Sequence, residues 1–161
     1  MPTLERFSHE ALRNTVVTFR DTMKAHAPGI NRLNVYPVPD GDTGTNMART
    51  LDAVVAELEA APEGLDTTCD AISHGSLMGA RGNSGVILSQ ILRGLAGTLK
   101  GVTEGTGAKV AEALKAASAA AYQAVLKPIE GTILTVVRES ADAAHEAAQR
   151  GESLAGVLHA A

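Results

Sequence analysis

The chain is 161 residues long and carries 14 Lys and Arg against 18 Asp and Glu, a formal charge of −4. That length suits a single domain with a buried core, and mild acidity with scattered basic residues argues against a nucleic-acid surface. Two Phe, two Tyr and no Trp provide no stacking platform for bases, and the lone Cys69 excludes an internal disulfide.

No stretch reads as a signal peptide or reaches membrane-spanning length, so a soluble, cytoplasmic protein without membrane insertion is expected. Leu12, Val16, Phe19 and Met23 share one face of a predicted helix running from about Ser8 to His26, ended by Pro28-Gly29. Met47, Leu51, Val54, Val55 and Leu58 predict a second amphipathic helix, stopped near Pro62-Glu63-Gly64. A third covers about Thr67 to Met78, and a strongly apolar fourth follows Gly85, with Ile87, Ile91, Leu95 and Leu99. After a flexible Gly101–Gly107 link, an alanine-rich helix spans Lys109–Val125 and ends at Pro128. The next begins after Gly131 with Ile133, Leu134 and Val137, and residues 152–161 start another. No period-two alternation marks a strand, so the expectation is an all-α fold of about seven helices.

Three interhelical stretches carry the chemistry. Asp40 and Asp42 flank Gly41, and Thr43, Gly44, Thr45 and Asn46 follow at once. Carboxylate, hydroxyl and amide oxygens suit Mg²⁺ or Ca²⁺ and not zinc or copper. Two close carboxylates repel by roughly 1 kcal/mol in water and more in a drier site, which a divalent ion relieves. An isolated D-G-D reads at least as readily as a solvated turn, and the spacing excludes an EF-hand.

Gly79-Ala80-Arg81-Gly82-Asn83-Ser84-Gly85 opens a helix but is neither a Rossmann fingerprint nor a P-loop. It fits either a phosphate-facing turn with Asn83 and Ser84, or a plain turn whose glycines permit close packing. Arg81 stands equally as a phosphate contact or a solvated side chain. Pro128–Thr132 is a third loop entering a helix, with Thr132 at its start and Ile133 next. In a bundle with short connections, the three helix starts can gather at one end and form a metal-phosphate cup. The five histidines show no metal-ligand spacing, no G-x-S-x-G elbow is present, and no apolar tunnel is evident.

The stretches N-V-Y-P-V-P-D-G-D-T-G-T-N-M (Asn34–Met47), G-A-R-G-N-S-G-V-I-L-S-Q (Gly79–Gln90) and K-P-I-E-G-T-I-L-T-V-V-R (Lys127–Arg138) closely resemble the N-terminal domain of bacterial fatty acid kinases. That domain is similar in turn to the nucleotide-binding L subunit of dihydroxyacetone kinases. The resemblance implies an antiparallel helical barrel of about seven to eight amphipathic helices with ATP and Mg²⁺ in a cup at one end. It implies that Asp40 and Asp42 hold metal, with Asn34 standing near a third aspartate of dihydroxyacetone kinases. Thr43, Gly44, Thr45 and Asn46 would line the phosphate side, Asn83 and Ser84 would bind phosphate, and Thr132 and Ile133 would flank the nucleotide. It further implies a fatty acid acceptor delivered by an acyl-binding protein of the DegV type. Members of the family continue beyond the last residues here, so a single, C-terminally truncated domain is expected, its open side closed by missing helices or by a second copy in a homodimer. A dihydroxyacetone-type kinase subunit and a non-catalytic nucleotide-sensing module are the alternatives.

Overall fold

The computed structural model describes residues 6–161. Within them the chain forms helices α1 (His9–Leu33), α2 (Thr43–Ala60), α3 (Leu65–Gly79), α4 (Gly82–Leu99), α5 (Gly107–Gln123), α6 (Ile133–Gln149) and α7 (Leu154–Ala160), and no strand. Each of the first six packs on its successor, and α7 lies across α5 and α6. Short links between packed neighbours make an up-and-down bundle, the all-α architecture expected from the periodicity.

The core follows the predicted faces. Leu51, Val54, Val55 and Leu58 of α2 are buried against Ile72 of α3, Leu88 and Leu92 of α4, and Val16 of α1. The second half is thinner, because Ala113, Ala117 and Ala121 of α5 and Ala141 and Ala144 of α6 are fully buried alanines. Small side chains bring helix axes close and compensate for the lack of large apolar groups. Asp142 of α6 pairs with Lys115 of α5 on the outer face of this seam.

The predicted end of α1 is corrected. Pro28 lies inside the helix, which continues for another turn to Leu33. An interior proline costs about 3 kcal/mol or more through its missing N–H and its ring. Tertiary contacts made by the last turns offset that. Ile30 packs on the core, and the Asn31 amide brackets Thr45, donating to its Oγ1 at 2.8 Å and accepting from its backbone N at 3.1 Å. Gly44 lies so close to α1 that a Cβ there would sit 2.5 Å from the Ala27 carbonyl oxygen.

At the other end of α1, Arg13 gathers the closing carbonyls of α2. Its guanidinium donates to the oxygens of Leu58 (2.7 Å), Ala61 (3.0 Å) and Pro62 (2.9 Å), and to Thr68 Oγ1 (3.2 Å). A cation at a helix C-terminus both satisfies orphan carbonyls and complements the helix dipole. α1 makes no substantial contact with α6. Between α1, α4 and α6 runs an apolar groove of about 420 Å³, lined by Phe19, Met23, Leu88, Leu95 and Val137 among others. No spacing pattern in the chain predicts this groove. Among the described residues no helix is long and apolar enough to cross a membrane.

Candidate functional site

Alternating helix direction places the starts of α2, α4 and α6 at one end. There they enclose a cavity of about 220 Å³. Asn34, Asp40, Asp42 and Thr43 line it from the α1–α2 loop, Asn83 and Ser84 from the start of α4, and Thr132 and Ile133 from the start of α6. The three stretches, distant in sequence, share one hollow.

The first loop is built around Asn34. Its Oδ1 accepts from the backbone N of Asp42 (3.2 Å), from the backbone N of Thr43 (3.2 Å) and from Thr43 Oγ1 (2.6 Å). Its Nδ2 donates to the Val38 carbonyl at 2.8 Å. The side chain thus closes the loop on itself and caps α2, whose own N-cap residue, Asp42, makes no side-chain cap. Gly41, at φ +68°, supplies the left-handed turn between the two carboxylates. Asp40 is exposed and Asp42 half-buried, and neither forms an ion pair with a described residue.

Thr43 lines the cavity, whereas Gly44, Thr45 and Asn46 do not. α2 begins at Thr43, so these three occupy its first turn and face the neighbouring helices. Gly44 and Thr45 meet Ala27 and Asn31 of α1, and the Asn46 side chain lies against Gly82 at the start of α4. They position the cup and do not form its wall.

The glycine-rich stretch divides in the same way. Only Ala80 and Arg81 lie between α3 and α4. Gly79 and Gly85 are buried where Ala53 and Thr50 of α2 leave no room for a Cβ, so close packing explains them. Thr50 is also buried; its Oγ1 donates to the Asn46 carbonyl (2.8 Å) and accepts from the Arg81 backbone N (3.2 Å), tying the starts of α2 and α4 together. The Arg81 guanidinium turns back on the Ala80 carbonyl and is not part of the cavity wall.

At the third loop, Thr132 caps α6, its Oγ1 accepting from Leu134 N at 3.3 Å. The loop is fastened by Glu130, whose carboxylate accepts from Thr135 Oγ1 (2.5 Å), Tyr122 OH (2.7 Å) and Arg138 Nη2 (3.0 Å). The Thr135 hydroxyl, then the Tyr122 hydroxyl and the Arg138 guanidinium, hold the Glu130 carboxyl down at about 2. The remaining cavity wall is apolar or singly charged: Val38, Ile87, Val125 and Ile129 form one flank, and Lys127 stands beside them. Lys127, Tyr36 and this apolar flank were not legible as site residues, since no spacing rule singles them out.

The donor set fits a magnesium ion. Among the described residues no group of three or more His, Cys, Asp and Glu converges, but Mg²⁺ needs only one or two carboxylates when waters and substrate phosphates complete its shell. Asp40, Asp42 and the Thr43 hydroxyl offer oxygen alone, and apolar side chains line the same cavity.

Comparison with known proteins agrees with this geometry. The DAK2 domain family matches residues 37–161. An uncharacterized protein of Staphylococcus saprophyticus is 46% identical over 138 residues, covering 83% of this chain and 24% of its own length. An uncharacterized protein of Staphylococcus aureus is 40% identical over 150 residues, covering 92% of this chain and 27% of its own. The chain spans about a quarter of the length of these curated relatives. Three helix starts around one polar-and-apolar hollow, together with these matches, identify the chain as a member of the DAK2 domain family, a dihydroxyacetone kinase-like, all-helical nucleotide-binding domain.

Proposed function

We propose that this chain is the Mg-ATP-binding domain of a kinase that phosphorylates the carboxylate of a fatty acid presented by a separate acyl-binding protein of the DegV type. The observation that carries this reading is the meeting of Asp40 and Asp42, Asn83 and Ser84, and Thr132 around one cavity with an apolar flank. Asp40 and Asp42 would hold Mg²⁺, with Thr43 beside them. The ion, when bound, neutralises phosphate charge and draws the phosphates into register. Asn34 fixes the loop that carries both carboxylates and caps α2. The first turn of α4, with Asn83 and Ser84, directs amides and polar side chains at phosphate oxygens. Ile87, Ile129 and Ile133 would offer a bound nucleotide apolar surface.

In the transfer, an acceptor carboxylate oxygen forms a bond to the γ-phosphorus while the bond to the β–γ bridging oxygen breaks, its electron pair leaving with ADP. A fatty acid is already ionised at neutral pH, so no proton need be removed. With Asp40 and Asp42 assigned to the metal, an acceptor already ionised asks no proton transfer of the remaining titratable wall residues, Lys127 and Tyr36. Much of the exposed apolar surface lies in the two loops that flank the cup and at the end of α1 beside them, including Leu33, Val35, Tyr36, Val38, Leu126 and Ile129. An apolar collar of this kind favours an acceptor delivered by a docking protein.

The test is isothermal titration with Mg-ATP, followed by an assay for acyl phosphate. Binding is expected for the chain, and acyl phosphate only after addition of an acyl-loaded partner and whatever flanking domains the full protein supplies. Phosphorylation of dihydroxyacetone in place of the fatty acid would transfer the reading to a dihydroxyacetone-type kinase. Nucleotide binding without transfer to either acceptor would favour a sensing module.

A further inference from the structure

The cup holds charges of both signs that do not close on each other. Lys127 is the single Lys or Arg in its wall, opposite in sign to Asp40 and Asp42, yet no ion pair joins it to either. The acid three residues on in its own loop, Glu130, is engaged elsewhere by Tyr122, Thr135 and Arg138. Those bonds tie the loop to α5 and α6, and among the described residues Lys127 is joined in no ion pair. Pro128, immediately after it, biases the Lys127 backbone away from the helical region. Arg81, the other cation near a phosphate-facing helix start, is turned away onto Ala80.

A ligand that is cationic at one side and anionic at the other satisfies such a wall. Metal on the aspartates and phosphate toward the ammonium is that arrangement. Resting on the nucleotide reading above, we propose that the Lys127 ammonium binds the terminal phosphate of ATP, in the same cup as the metal-holding carboxylates. It is the group by which the site tells a triphosphate from shorter nucleotides. A compact point charge on a flexible stem can follow the phosphoryl group as negative charge redistributes during transfer.

The test compares wild type, Lys127→Ala and Lys127→Arg by isothermal titration with Mg-ATP and Mg-ADP, and by AMP competition against a fluorescent ATP analogue. Lys127→Ala should weaken Mg-ATP by about tenfold or more, Mg-ADP by clearly less and AMP within about twofold, and should flatten the salt dependence of ATP affinity. Lys127→Arg, which keeps the charge, should recover most of the loss. An alanine variant binding Mg-ATP within about twofold of wild type would overturn the proposal, as would a parallel fall for ATP and AMP. A wild-type chain that binds no nucleotide removes this proposal and the function together, whereas normal wild-type binding with an unaffected Lys127→Ala removes only the lysine's role.

Discussion

At the end of the bundle away from the cup, α1, α5 and α7 each begin on a hydroxyl cap. Ser8 accepts from the backbone N of Ala11, Thr106 from Lys109 and Ser153 from Gly156. That end is also laced across: Phe7 N donates to the Gly105 carbonyl, Gly101 N to Asp66, and Lys100 pairs with Asp70. At the cup end, Asp42 and Arg81 precede α2 and α4 without capping them through their side chains. α2 is instead capped from eight residues upstream by Asn34. Three of the four helix starts at the far end carry a hydroxyl cap; at the cup end only α6 does, through Thr132, and the polar groups of the loops turn toward a shared hollow.

Substitutions at the two ends should therefore separate binding from stability. The largest effect is expected at Asp40→Ala or Asp42→Ala, with Mg-dependent ATP affinity falling by about a hundredfold or more. Helicity by circular dichroism should not change, because both side chains lie outside the core. Undiminished affinity in both variants would remove the metal assignment. Gly44→Ala should affect both properties, since its Cβ would press on the Ala27 carbonyl. Urea titration should show a loss of about 1–3 kcal/mol, and nucleotide affinity should fall as the start of α2 shifts.

Arg13→Ala is the opposite-end counterpart. Leaving the carbonyls of Leu58, Ala61 and Pro62 without their donor should destabilise the chain by about 1–3 kcal/mol while ATP affinity stays the same. A large change in affinity would mean that the two ends are coupled.

Smaller effects concern single groups. Folding lowers the Glu130 carboxyl from 4.5 to about 2, so its stabilisation is complete above about pH 4.5 and is lost as pH falls toward 2. Carboxyl NMR titration should find that midpoint, and one near 4.5 would show the loop to be unfastened. Burial, followed by the nearby Asp66 and Asp70 charges, pushes the Cys69 thiol up to about 11. It should react slowly with a disulfide reagent until the chain is unfolded, and rapid native-state labelling would contradict its burial.

The longer helices were legible because apolar residues recur at helical spacing, as Met47, Leu51, Val54, Val55 and Leu58 do over about three turns. The end of α1 was not. Pro28-Gly29 is a sound local stop signal, and it is overridden by Ala27 and Asn31 meeting Gly44 and Thr45, partners well over a turn of chain away. For Gly79 and Gly85 the close-packing alternative holds, and the partner that decides it, α2, lies outside the local sequence. Asp40, Asp42, Asn83, Ser84 and Thr132 stood out because polar, glycine-rich turns opened three helices. Lys127 and the apolar flank lacked any such signature; only folding puts them in the wall.

The cup draws on every second helix of an up-and-down bundle, and that fixes which changes in length evolution or engineering can make. Adding or deleting one complete hairpin leaves each later helix pointing as before, so the hollow can be reassembled. Adding or deleting a single helix between α2 and α6 would reverse the direction of everything downstream and carry Thr132 to the far pole. Length variation in related domains should therefore come in helix pairs, or in loops at the pole away from the cup.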